Sequence, residues 1–416
     1  MSLLPRLAGF YVISVGVIVA QGTQRLTLDR ALALALEHNP QLQVASALRE
    51  GAEAGVLTAR AYPNPELTTM TGQQFTRPNR IFGGAAPGLL QHYSVHQPIE
   101  LPSVRSARIR TAQAGRESSG YALLEARLVV RALVKQAFFQ VLRRRNEITL
   151  ANENLRLIED LRRRIQVQVE VGEAARLELI RADSEVATAR TLATSAQLRY
   201  TNALAYFRTV VGAPLGPNVE LEGQLDTRQP LPALESLREE VVSRHPSLSQ
   251  AQAEIRRAEA RLRTEMALRR PSPTVHSEYE HQPDLQFYRF GVSLPMPVWN
   301  KRQGPIGEAA AGLRQANALA DLRRLEINAN LERAYGLYEV ATQQLVSFED
   351  GVLREANAAV KAAEAAYRFG ERGIIDVLDA QRVLRTVRLD YLSAQYDLQA
   401  AIIEIEQLRA VDPEQK

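Results

Sequence analysis

The chain has 416 residues, 45% hydrophobic and 24% charged, with a formal net charge of +4. That balance excludes a disordered chain, and because basic and acidic residues are interleaved, no phosphate-tracking surface and no nucleic-acid partner is expected. The absence of cysteine removes disulfides, thiolate metal sites, cysteine nucleophiles and any lipid-bearing cysteine together.

Residues 1–22 read as a secretory signal. Arg6 supplies the positive start, and Leu7 to Ala20 is an apolar run interrupted only by Gly9, Ser14 and Gly16. Ala20 and Gly22 then stand at the −3 and −1 positions of a cleavage site. The run is shorter than the roughly 20 residues a spanning helix needs. An exported chain without a spanning helix is periplasmic, secreted, or held in an outer membrane as a β-barrel.

The remainder divides into two versions of one plan, residues 23–225 and 226–416. The first opens at Leu26-Thr-Leu28 and runs to Asn39-Pro40; the second runs from Leu234 to His245-Pro246. In each, an amphipathic helix stops at the proline, which lacks an amide hydrogen and crowds the preceding turn. His38 and His245, at these helix ends, are read as capping residues. A further helix follows, ending at Pro63-Asn-Pro65 or Pro271-Ser-Pro273. Then the period changes from helical to alternating: Glu66–Thr71, Leu90–His96, Thr274–Tyr279 and Gln286–Leu294 read as strands. Val95, Pro98 and Arg105 recur at constant offset as Val292, Pro295 and Arg302.

From Ser103 to Val171, and again from Gly304 to Phe369, apolar residues recur at three and four spacing with no proline beyond Pro305. Uninterrupted helices of that length reach about 100 Å. Each ends at a glycine turn, Gly172 or Gly370, and a shorter helix returns. Periodicity alone is equally compatible with a soluble coiled-coil rod. The four strands favour a pore, because a lone four-stranded sheet has two bare edges that a membrane does not tolerate. Three copies pooling their strands would close a twelve-stranded barrel.

With these residues in view, the sequence resembles the TolC superfamily of outer-membrane factors, and most of all its CzcC-type branch associated with heavy-metal cation efflux. The resemblance runs from Leu26 to Val411. It is carried by Asn39-Pro40, Pro63-Asn-Pro-Glu-Leu67, Gln97-Pro-Ile-Glu-Leu101, Ser293-Leu-Pro-Met-Pro-Val298, Tyr367-Arg-Phe-Gly370 and Ile375-Asp-Val-Leu-Asp-Ala-Gln381. Pro102-Ser-Val-Arg105 departs from the glycine- and lysine-bearing form common in that branch, and His281-Gln-Pro-Asp284 is a short connection.

The resemblance implies a mainly α, α+β fold: a homotrimer with a twelve-stranded barrel in outer-membrane lipid, a helical barrel crossing the periplasm, and a mixed equatorial region. It also implies a periplasmic membrane-fusion adaptor and an inner-membrane pump of the resistance-nodulation-division class as partners, in a Gram-negative bacterium. No cofactor is implied.

Candidate site residues follow from both sources. Asp376 and Asp379 are three apart and share a helix face. Acids favour the first turns of any helix, but the resemblance implies that this pair lines the periplasmic constriction, where six carboxylates would attract cations. Tyr367 and Arg372 flank the second glycine turn, and both can donate to a carboxylate. The resemblance points to Glu178 as the acidic partner of such a gate; ordinary surface pairing is the alternative. Gly172, Glu173, Gly370 and Glu371 form the tips, read through the resemblance as the adaptor-docking surface.

No dedicated metal site is expected. His92 and His96 lie four apart in a strand, roughly 13 Å at 3.3 Å per residue, and His276 and His281 are no better placed. With no nucleophile elbow, phosphate loop, zinc motif or nucleotide fingerprint, catalysis is not expected either. The implied function is an efflux duct, with heavy-metal cations as cargo; drug efflux or protein secretion, and a periplasmic scaffold without a pore, are the alternatives.

Overall fold

The computed structural model describes residues 24–75, 86–216, 219–225, 228 and 230–410. The expected signal segment lies outside them. The first half comprises β1 (Gln24–Leu26), α1 (Leu28–His38), α2 (Pro40–Arg60), β2 (Glu66–Gln74), β3 (Gly88–Pro98), α3 (Pro102–Glu170), α4 (Arg176–Val211) and β4 (Val219–Leu221). The second comprises α5 (Leu234–Arg244), α6 (Pro246–Ala267), β5 (Thr274–His281), β6 (Gln286–Ser293), α7 (Gln303–Ser347), a π-helical turn (Phe348–Val352), α8 (Leu353–Arg368) and α9 (Ile374–Leu408).

The helix-breaking prolines act as first residues of the next helix, where a missing amide hydrogen costs nothing. Asn39 closes α1 and opens α2; its Oδ1 accepts from Gln41 N at 2.8 Å, and its Nδ2 donates to Val210 O at 2.7 Å. His245 fills the same place in the second half, its Nδ1 accepting from Ser247 N at 3.2 Å. The cap expected of His38 is therefore Asn39's. His38 is an exposed last residue of α1, because Asn39 and not His38 precedes the proline. Gly212, at φ 70°, ends α4; a Cβ there would lie 2.8 Å from Pro40 Cδ and 3.1 Å from Asn39 Cα. Only glycine lets α4 finish against this corner.

The four long strands form one antiparallel sheet in the order β2-β3-β5-β6, so the two halves meet between β3 and β5. β2 and β6 are its open edges. The repeated arginines do repeated work beside it. Arg105, at the start of α3, donates to Arg60 O at the end of α2 (2.8 Å) and lies over the Tyr62 ring. Arg302, just before α7, bonds Glu265 in the last turns of α6. β1 and β4, which no alternating pattern announces, pair in parallel over three residues.

α3 runs 69 residues without a break, about 100 Å at 1.5 Å per residue. The main core sits midway along it, where Leu26, Phe138, Leu142, Phe207 and Leu221 are fully enclosed. Burying each such side chain is worth about 1.5–3 kcal/mol. The expected counterpart from Gly304 to Phe369 is not continuous: the π turn Phe348–Val352 divides it. Phe348 packs edge-on against Tyr391, while Glu349 accepts from Tyr391 Oη at 3.1 Å and pairs with Arg228. These anchors hold the turn wide, and Gly351 within it is a poor helix former. Among the described residues no helix is long and apolar enough to cross a membrane.

Candidate functional site

The two glycine turns share one geometry. At the end of α3, Glu173 N donates to Gln168 O (2.7 Å) and Gly172 N to Val169 O (3.2 Å). At the end of α8, Glu371 N donates to Ala366 O (2.9 Å) and Gly370 N to Tyr367 O (3.0 Å). Gly172 and Gly370 adopt φ of 83° and 74°. This is the left-handed reversal in which the last helical carbonyls are satisfied by the turn itself. Both turns leave their tips exposed, Glu173 and Glu371 included.

Behind the turns, α3, α4, α8 and α9 close a small core around Ile158, Ile165, Ala182, Val186, Ile374, Val377 and Leu378, with Tyr367 packed on it. The Tyr367 hydroxyl lies 2.8 Å from Gln168 Oε1 and 3.5 Å from Glu178 Oε2. It thus joins the last turn of α8 to the last turn of α3 and the first turn of α4. Burial, and then the Glu178 carboxylate, push the phenol above its ordinary pKa, so it stays protonated and donating. Tyr367 and Glu178 therefore come together. Arg372 does not join them: it is exposed and has no side-chain bond or ion pair among the described residues.

Asp376 and Asp379 lie on the exposed side of α9, while Ile374, Val377 and Leu378 on the same turns face the core. Asp379 accepts from Arg382 at 3.1 Å; Asp376 is unpaired among the described residues. Arg382 has a second partner that sequence reasoning missed. Its Nη2 lies 2.8 Å from Oε2 of Glu185 on α4, and Arg385 Nη1 approaches the same carboxylate at 3.9 Å. Glu185 is buried, so this is a cross-link between the two helical hairpins and not a surface pairing. The signal available was the i, i+3, i+6 row Asp376, Asp379, Arg382; the partner on α4 lies 197 residues away.

At the other end, the sheet presents two unlike faces. Leu67, Tyr93, Val95, Tyr288, Phe290 and Val292 stand on one face and are exposed, Phe290 at 84%. The opposite face carries Glu66, His92, Ser94, Glu278, Glu280 and Arg289, with Arg289 donating to Glu280 at 2.7 Å. Apolar outside and polar inside is the pattern of a strand set in a membrane barrel. Among the described residues, no group of three or more His, Cys, Asp or Glu side chains could hold a metal ion.

Comparison with known proteins agrees with this geometry. The family described as "Outer membrane efflux protein" matches residues 31–213 and 237–410. The chain is 29% identical to the cobalt-zinc-cadmium resistance protein CzcC of Cupriavidus metallidurans, over 88% of this chain and 86% of that one. It is 24% identical to the pyoverdine export outer membrane protein OpmQ of Pseudomonas aeruginosa, over 86% and 79%. Among solved structures, the Campylobacter jejuni CmeC outer membrane channel superposes with a TM-score of 0.79, covering 99% of this chain and 94% of that one at 14% identity.

Proposed function

This chain belongs to the outer membrane efflux protein family, whose members are transport ducts and not enzymes, and on that premise we propose that it is the exit duct of a tripartite pump for heavy-metal cations. Its place is the outer membrane of a Gram-negative cell, with a large helical part in the periplasm. The observation that carries the reading is the sheet: four strands, two open edges, one exposed apolar face, mounted beside α3, a helix of about 100 Å. Such a sheet is stable in lipid only when its edges are paired, and three copies make twelve strands. The helices would then surround one axis, with the tips carrying Tyr367, Glu178, Arg372, Asp376 and Asp379 at the periplasmic end. The exposed turns at Gly172, Glu173, Gly370 and Glu371 are the surface offered to a periplasmic adaptor, which would connect the duct to an inner-membrane pump.

Heavy-metal cargo is supported by the likeness to CzcC and by two carboxylates per protomer on the exposed side of α9. A second reading, export of a small organic molecule, is supported by the likeness to OpmQ. Reconstitution of the purified protein in planar bilayers tests the duct: trimers with ion conductance are expected, and non-conducting monomers would overturn it. Deletion of the gene tests the cargo. Loss of tolerance to zinc, cobalt or cadmium is expected; unchanged tolerance with lost export of an organic compound would favour the second reading.

A further inference from the structure

We propose that His96 and His276 form a low-affinity coordination step for a borderline divalent cation, of the Zn2+ or Co2+ kind, on the polar face of the sheet. The proposal rests on the cargo reading above and places a chemical contact along the exit path.

The pairing register carries it. His96 on β3 stands directly opposite His276 on β5, with ring centroids 5.6 Å apart and planes inclined by 26°. Spacing along either strand gave no such pair, since His92 and His96 are separated by four positions of one strand. Next in the row, on β6, is Gly291. A Cβ there would collide with Nε2 of His276 and lie 2.7 Å from its Cε1, so the imidazole occupies room that any other residue would fill, with Nε2 facing the glycine. A glycine inside a strand weakens it and marks a close approach; here it leaves a slot for the ring. His96 Nε2 is 3.2 Å from Oγ of Ser94, a buried hydroxyl that fixes the ring as outer partners do at metal sites. On the other side of His96, the row ends in Glu66.

The chemistry of this row selects its ligand. Neutral imidazoles suit zinc, cobalt, nickel and copper, whereas Mg2+ and Ca2+ prefer oxygen. A tetrahedral ion with bonds of 2.0–2.1 Å needs its two nitrogens about 3.4 Å apart; the rings stand stacked with centroids 5.6 Å apart, so a bound ion would have to draw them together. Two protein ligands, with water completing the shell, bind weakly. That agrees with the lack of any three-ligand cluster among the described residues. Weak binding is also what a conduit requires, because an ion held tightly would block it. In a closed barrel, three such pairs would stand at one height around the wall.

The test is titration of Zn2+, and of Co2+ followed by its visible absorbance, into the purified protein in detergent. The variants are His96→Ala and His276→Phe, the second keeping a ring over Gly291 without a ligand nitrogen; His92→Ala is the control. The parent and the control are expected to bind Zn2+ without competition from Mg2+, and both variants to bind at least tenfold more weakly. Equal binding by parent and variants, or no binding by the parent at millimolar Zn2+, would overturn the proposal. The cargo reading is scored separately on the deletion strain. Lost zinc tolerance with no histidine-dependent binding would sink this site alone. Unchanged tolerance with histidine-dependent binding would remove the cargo reading and leave the site standing.

Discussion

Arg382 on α9 reaches Glu185 on α4, with 2.8 Å between Nη2 and Oε2, and the carboxylate it meets is buried. A charged pair with two hydrogen bonds thus spans the two hairpins, about two turns along α4 from Glu178. Arg382→Ala leaves Glu185 with only the more distant Arg385, and a loss of about 1–2 kcal/mol is expected, the arginine being half exposed. Replacing both residues by leucine should restore most of that loss, since it is the unpaired buried charge that is costly. Denaturant midpoints of the single and double variants check this; a single variant as stable as the parent would make the link ordinary surface pairing.

Tyr367 should help hold the resting duct shut. Its hydroxyl ties α8 to α3 and α4 through Gln168 and Glu178, and opening must part these helices. In Tyr367→Phe with Arg372→Ser, larger and steadier single-channel currents are expected, with Glu178→Gln showing part of the effect. Since burial raises the phenol's pKa, the link should be complete below about pH 10 and lost as pH rises through the folded-state value. A double variant that conducts like the parent would place the closure elsewhere.

Asp376 and Asp379 should set the duct's charge preference. Replacing both by alanine is expected to lower cation over anion permeability and to weaken block by multivalent cations, because the carboxylates raise the local cation concentration. Asp376→Ala should have the larger effect, as Asp379 is already partnered by Arg382. Reversal potentials in asymmetric salt measure it; an unchanged double variant would return both acids to a helix-end role.

His245 should make folding stability depend on pH. Its buried imidazole caps α6 as a neutral acceptor, and burial depresses its pKa; Glu125 opposes that shift and Arg323 adds to it. As pH falls below about 6.5, the unfolded chain takes up the proton first, so stability is flat above that pH and is lost below it. His245→Asn installs the arrangement of Asn39 and should flatten the profile. Thermal unfolding at pH 7.5 and 5.5 compares the two, and a parent curve as flat as the variant's would refute the assignment.

The sequence by itself determined the order of the long helices and of the four long strands, but not β1, β4 or the break at Phe348–Val352. Prolines 40 and 246 stop helices by losing a donor, Gly172 and Gly370 reverse them through positive φ, and the change from helical to alternating period marks each strand. These are local effects of backbone sterics and hydrogen bonding, so residues a few positions apart announce them. Even Arg105 and Arg302 showed themselves by repetition. Tertiary structure decided what lies across the chain. Glu185 with Arg382, Tyr367 with Gln168, and His96 with His276 are partners 180 to 199 residues apart. The π turn at Phe348–Val352 is likewise held by Tyr391 and Arg228, far along the chain. Such pairs depend on register and on which helix faces which, and those are fixed by burial of whole faces, not by any short stretch of residues.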